Sequence, residues 1–229
     1  MTSVSRLVVL LVSAGLTLGV ASTPGAAVAA VPSGAPAPRE GGSYVRLQHP
    51  QPVADSARRE VVEVFWYGCE HSQLLEQPLE DWAAHRPSDV VLRRIPAVWS
   101  DNADQDVERA HARLFYTLDR LGEVDRLQSA VFRAVRGEGL DLTTEDLAAG
   151  WAAGQQVDAQ RFRAAYESDE VGRETAQASK ELARYEVTEL PSLVVQGSYR
   201  TGPVQAGGVD RMPAVLDDLL QQQVPAAKH

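Results

Sequence analysis

One cysteine stands in 229 residues, and it stands where a thiol can be activated. Cys69 follows an apolar, β-branched and aromatic run, Glu60 to Tyr67, that ends at Gly68. A helical pattern starts directly after it. A sulfur at a strand-to-helix junction faces unpaired backbone N–H groups and the positive end of a helix dipole. Both favour the thiolate, which is the nucleophile, over the thiol. An arbitrary cysteine is more often buried and inert, so the junction carries the argument for reactivity.

The neighbours of Cys69 have types that bear on a thiolate. His71 lies in the first helical turn and stabilises the sulfur as imidazolium or as a donor, or is simply solvated there. Glu70 works the other way, because its charge beside the sulfur opposes a second negative charge. Ser72 lies three residues on, about one helical turn away, where its hydroxyl can donate to a thiolate. Glu63 sits among apolar neighbours in the strand. Pointed inward, it has a carboxyl with a raised pKa that can exchange protons with a nearby thiol; pointed outward, it is a solvated acid.

The elements that must position these residues follow in order. Tyr44 to Leu47 reads as a short strand and His49 to Asp55 as a Pro-interrupted loop. Glu60 to Tyr67 reads as a central strand covered on both faces. Glu70 to His85 is predicted as a helix kinked at Pro78, with Leu74, Leu75, Leu79 and Trp82 on its apolar side. Asp89 to Ile95 is a second strand, which gives a βαβ unit with parallel strands. Trp99 to Tyr185 is helical throughout, with one stripe formed by Val107, Ala110, Leu114, Leu118 and Leu121. Leu127, Ala130, Val131 and Ala134 form another, and helix starts are read at Thr143 to Asp146 and at Asp158. The β pattern returns at Ser192 to Val195 and Tyr199 to Thr201, with a turn at Gln196 to Ser198. A loop bounded by Gly202-Pro203 and Gly207-Gly208 precedes a C-terminal helix, Val209 to Gln222. Strands at both ends of the sequence share one sheet only if the helices are an insertion.

The N-terminus and the bulk numbers bound the setting. Arg6, the apolar stretch Leu7 to Val20 and Ala27-Val28-Ala29 together read as a signal peptide over residues 1–30. Residues 31–42, rich in Pro, Gly and Ala, read as a flexible linker. The formal charge of −9 argues against a nucleic-acid partner. No second apolar run is long enough to span a bilayer, so no stable membrane insertion is expected after cleavage. A single cysteine excludes an internal disulfide framework. His49, His85, His111 and His229 have no ligand spacing, so no metal site and no organic cofactor are expected.

The order β, βαβ, helical block, ββα resembles the DsbA family of exported thiol–disulfide oxidoreductases. The resemblance runs from about Tyr44 to Gln222 and rests on two matches. The strand ends in Cys69-Glu70-His71-Ser72 where the family has Cys-Pro-His-Cys, and Leu190-Pro191-Ser192-Leu193-Val194-Val195 falls where the family has its cis-proline and following strand. The resemblance implies an α/β thioredoxin-like fold with an inserted all-α helical subdomain. Residues 43–98 and 186–224 would form the core and residues 99–185 the insertion. It implies a cis Pro191 that faces Cys69 and, with Leu190 and Glu70, meets an extended peptide substrate. Glu63 matches a buried acid of the family.

Two departures bear on activity. Ser72 replaces the second cysteine, and Glu70 replaces the proline. Ser72 cannot form an S–S bond, so the chain cannot cycle alone as a dithiol oxidant. The expected function is therefore monothiol exchange, isomerisation or reduction through mixed disulfides. The partners would be cysteine-containing or unfolded exported proteins, and an external thiol, with glutathione as a possible co-substrate. The expected location is the periplasm or another exported compartment. The alternative is a catalytically degenerate peptide-binding or chaperone module that uses the groove beside Pro191.

Overall fold

The computed structural model describes residues 39–222. The signal peptide reading, the first part of the linker (31–38) and the C-terminal tail from residue 223 lie outside the described residues. Residues 39–42 form a hydrogen-bonded turn, with Arg39 O accepting from Gly42 N and Ser43 N.

Five strands make one mixed sheet. They are β1 (Val45–Arg46), β2 (Arg59–Phe65), β3 (Val90–Pro96), β4 (Ser192–Val195) and β5 (Tyr199–Thr201), in the order β1-β5-β4-β2-β3. β2 and β3 are parallel, joined by α1 (Glu70–His85), and the other pairings are antiparallel. The central strand β2 is thus formed from the most apolar run, as a strand covered on both faces requires. It stops at Phe65, two residues before the end of the run. Its partner β3 ends at Pro96 and β4 begins only at Ser192, so Trp66 and Tyr67 have no ladder to join.

The period of two sorts β2 between two cores. Val62 and Val64 pack with Val194, Ile95, Leu182 and Val187 on one face. Val61 packs with Leu193, Val195 and the inner residues of α1 and α8 (Met212–Gln222) on the other. Along α1 the buried stripe is Leu75, Leu79 and Trp82. Leu74, expected on that side, is 53% exposed because it lies about 100° round the helix from Leu75. The helix runs unbroken through Pro78.

Between β3 and β4 lie α2 (Gln105–Arg120), α3 (Val124–Phe132), a π turn at Arg133–Gly137, α4 (Glu145–Gly154), α5 (Ala159–Tyr166) and α6 (Asp169–Arg184). Thr144, Asp158 and Ser168 cap α4, α5 and α6 by accepting a backbone N–H three residues on. The helices share a core of Leu114, Leu118, Leu127, Val131, Phe132 and Phe162, into which Phe65 and Tyr67 project. The α2 stripe differs from expectation. Val107 is exposed, and Glu108 is buried instead, accepting from Trp99 N and Asn102 Nδ2. Those two hydrogen bonds offset the cost of burying a carboxylate. Gly202 to Gly208, expected as a loop, contains a short helix, α7 (Pro203–Ala206), with Pro203 at its first position. Val209–Arg211 is a 3₁₀ turn, so the last α-helix starts three residues later than its apolar pattern suggests.

Candidate active site

β2 delivers the chain to a tight turn, Trp66 to Cys69, from which α1 departs. Cys69 is the N-cap residue of α1, with extended backbone angles and no side-chain cap. The first-turn N–H groups of α1 therefore lack intrahelical partners beside its sulfur. Cys69 is half-buried, and its N–H donates to Trp66 O at 2.9 Å. Its Sγ stands 3.9 Å from Leu190 O. The Leu190–Pro191 peptide bond is cis. The strand order places β4 next to β2, so the loop before β4 comes up against the turn after β2. Cys69, Leu190 and Pro191 are thereby brought to one place from residues 121 apart in sequence.

The other expected residues divide. Glu70 is exposed, and its carboxylate is 3.9 Å from Arg136 of the π turn. His71 is exposed. Ser72 is fully buried, and its Oγ accepts from Trp66 N at 3.3 Å. None of the described hydrogen bonds joins Ser72 Oγ to Cys69 Sγ; the Oγ accepts from Trp66 N, and its own O–H remains to donate. The tight turn brings the Trp66 N–H over the inner face of α1, and Ser72 is the group that meets it.

Glu63 is fully buried and belongs to a cluster larger than the sequence suggested. The parallel register sets Arg94 of β3 directly beside Glu63. Arg94 Nε donates to Glu63 Oε2 at 2.9 Å, and Arg94 Nη2 stands 3.5 Å from Glu76 Oε1 without hydrogen-bond geometry. Both oxygens of Glu76 and Oε1 of Glu63 are buried without a hydrogen-bond partner. Burial, then the charge of Glu63, pushes the Glu76 carboxyl up to about 9. Burial also raises Glu63, against the opposing charge of Arg94. Burial works to lower Arg94, but Glu63 and Glu76 outweigh it and hold the guanidinium above its ordinary value. One guanidinium can offset only one of the two carboxylates, and both carboxyls are raised, so Glu63 and Glu76 titrate as a pair that favours holding a proton. Ser72 and Glu76 follow Cys69 at intervals of three and seven residues, the spacing of one helix face. A groove of about 430 Å³, lined in part by Glu80, Arg86, Leu92, Arg94 and Asp125, opens onto the cluster.

Sequence reasoning missed Glu76 and Arg94. Each had a signal: Glu76 falls on the apolar face of α1, and Arg94 interrupts a strand opposite another interrupted by Glu63. It also missed the pair formed by Trp66 and His111, where Trp66 Nε1 donates to His111 Nδ1 at 3.1 Å.

The family model described as a DSBA-like thioredoxin domain matches residues 69–220. The chain belongs to the DsbA-like thioredoxin family. It is 37% identical over 188 residues to the thiol:disulfide interchange protein DsbA of Pseudomonas syringae, covering 82% of this chain and 86% of that protein. To the DsbA of Burkholderia cepacia it is 33% identical over 214 residues, covering 93% and 94%. The crystal structure of Pseudomonas aeruginosa DsbA superimposes with a TM-score of 0.74 at 33% identity, over 80% of this chain and 93% of that one. The α/β thioredoxin-like fold is thus shown by structure and family together, and the relatives' name makes this an oxidoreductase family. Among the described residues no helix is long and apolar enough to cross a membrane.

Proposed function

We propose that this DsbA-like chain performs thiol–disulfide exchange with one thiol. The observation that carries the reading is that the only cysteine of the chain caps α1 beside Leu190-Pro191, with a serine one turn on. The Cys69 thiolate attacks one sulfur of a substrate disulfide. A Cys69–substrate bond forms, the substrate S–S bond breaks, and the second substrate sulfur leaves as a thiolate. A different thiolate of the substrate then attacks the substrate sulfur of the mixed disulfide, so that a new substrate S–S bond forms, Cys69 leaves as a thiolate, and the substrate is isomerised without net electron transfer. Alternatively an external thiol such as glutathione attacks the mixed disulfide and releases Cys69.

The other residues act around the sulfur. Leu190 and Pro191 present backbone to an extended peptide, and Glu70 borders that surface. His71, at the first turn, favours the thiolate, and Ser72 holds the turn through Trp66 N. Glu63, with Glu76, takes up and returns protons as the sulfur cycles. The substrates are cysteine-containing or unfolded exported proteins, met in the periplasm or another exported compartment, and no organic cofactor takes part.

The test is to trap mixed disulfides with a disulfide-bonded peptide and with oxidised glutathione. The wild-type chain should give a long-lived 1:1 adduct at Cys69. Cys69→Ala should give none, and Ser72→Cys should shorten the adduct's lifetime by supplying a resolving thiol. Peptide binding that survives in Cys69→Ala, with no adduct in the wild type, would sink the exchange reading in favour of a peptide-holding module.

A further inference from the structure

Trp66 is the hub of the turn that carries Cys69. Its N–H donates to Ser72 Oγ and its carbonyl accepts from Cys69 N, so its backbone ties the strand end to both ends of the Cys69-to-Ser72 segment. Its indole lies over Gly68. A Cβ at position 68 would collide with Cζ2, Cε2 and Cη2 of that ring. Gly68 is therefore glycine because the indole occupies the space of a side chain. The position of the indole fixes the residue directly before the sulfur.

The hydrogen-bond partner of the indole N–H is not in the thioredoxin-like part, against whose core the ring packs. It is His111, in the middle of α2, buried and 45 residues away in sequence. Its Nδ1 accepts the indole N–H at 3.1 Å. Its ring also lies 6.1 Å from the Tyr67 ring, edge on. An acceptor at Nδ1 requires a neutral ring with its proton on Nε2. A buried histidine that makes one directed bond to the active-site turn does more than fill space: Phe would fill it without the bond.

We infer that His111 is a positioning residue for Cys69, and that it acts through the Trp66 indole rather than by touching the sulfur. The helical insertion thus sets the geometry of a nucleophile carried by the other part of the chain. This rests on the exchange reading only where exchange is the readout; the placement of the thiol can be measured without it.

The experiment compares His111→Phe, His111→Asn, Trp66→Phe and the double variant His111→Phe/Trp66→Phe in the chain spanning residues 31–229. Asn places its Oδ1 near the site of Nδ1 and keeps the acceptor; Phe removes it. His111→Phe should slow attack of Cys69 on a peptide disulfide about tenfold per folded molecule, because small misplacements of a reacting atom are costly. His111→Asn should stay within about twofold of wild type, and the double variant should be no slower than Trp66→Phe, since the two act as one unit. The Trp66 indole N–H resonance should lose its protection from exchange in His111→Phe and keep it in His111→Asn. Should the Phe variant not fold, His111→Gln, whose acceptor lies where Nε2 was, should show the loss that His111→Asn does not. Equal rates in His111→Phe and wild type, or additive losses in the double variant, overturn the inference. If wild-type Cys69 attacks no disulfide, the exchange reading fails. Iodoacetamide alkylation of Cys69 in the same variants then judges the positioning by the same pattern.

Discussion

On the odd-numbered face of β2, under α1, two carboxyls share one guanidinium. On the even-numbered side, at the strand's end, one indole and one imidazole share one hydrogen bond. Both groups are largely buried, and each has one member close to Cys69: Glu76 on its helix face and Trp66 in the turn before it. The first leaves three carboxyl oxygens without hydrogen bonds and must hold a proton to balance its charge. The second is neutral, and the bond between its two rings is made. An unsatisfied, charged cluster is a reservoir whose state changes with pH; a satisfied neutral pair is a fixed point. In the exchange reading proposed above, the first kind of neighbour would serve the thiol's proton and the second its place.

The largest effect should come from removing the cation. Arg94→Met leaves two buried carboxyls with nothing to offset either charge. We predict a loss of about 3–5 kcal/mol, typical of breaking a buried pair from one side, in urea unfolding at pH 7. Replacing Glu63, Glu76 and Arg94 together by apolar residues of similar volume should recover most of it. If Arg94→Met costs no more than a surface substitution, the charge balance described for the cluster is wrong.

Next is the proton on Glu76. Its folded pKa, about 9, lies above its unfolded value, so the native state binds more protons than the unfolded chain between about pH 4.5 and 9. Stability is therefore full below pH 4.5 and falls as pH rises through that window. Glu76→Gln is already neutral and escapes the loss. It should be more stable than wild type by up to about 3 kcal/mol at pH 7, with the advantage gone at pH 4. A constant difference between the two proteins across pH 4 to 8 would remove Glu76 as the proton holder.

The satisfied pair should respond in the opposite direction. Burial, against the pull of Asp141, lowers His111 to about 4. Its unfolded value is about 6.5, so the unfolded chain binds the extra proton first. Stability from this site is complete above pH 6.5 and is lost as pH falls towards 4, by at most about 3 kcal/mol. His111→Asn, which cannot titrate, should flatten the acid limb of stability against pH and leave the alkaline limb unchanged. The two sites thus give opposite slopes of stability against pH over overlapping windows, about 4.5 to 9 for Glu76 and about 4 to 6.5 for His111, and each variant should remove only its own slope.

The contrast also explains what was legible in the sequence. The turn chemistry was local: an apolar run, Gly68, one cysteine and a helix start placed Cys69 at a helix N-terminus without any tertiary knowledge. Glu63 was legible because a lone acid in an apolar strand has few ways to be satisfied. Its partners were not, because register decides that Arg94 rather than Arg93 lies beside it, and register is a property of two strands paired in space. His111 was read only for ligand spacing, a reading silent about Trp66. A hydrogen bond across 45 residues leaves no periodic trace. Leu74 and Val107 show the converse error: each was counted into an apolar stripe, and each is exposed because the residue next to it fits the buried face better. Helical spacing put Ser72 one turn from Cys69, but its bond to Trp66 N depends on the path of the tight turn, which spacing does not describe.

The smallest effect should come from Glu70, the one charged residue of the motif that is neither buried nor hydrogen-bonded. Its contact with Arg136, at 3.9 Å between exposed groups, is worth little in water. Glu70→Ala should therefore leave the unfolding midpoint close to that of wild type. Its charge still lies next to the sulfur, and reagents approach through solvent. Removing it should raise alkylation by anionic iodoacetate relative to neutral iodoacetamide by about twofold at low ionic strength, and the difference should vanish in about 1 M salt. An unchanged ratio at low salt would mean that Arg136 already neutralises Glu70, and the departure from proline at this position would then act through backbone conformation rather than charge.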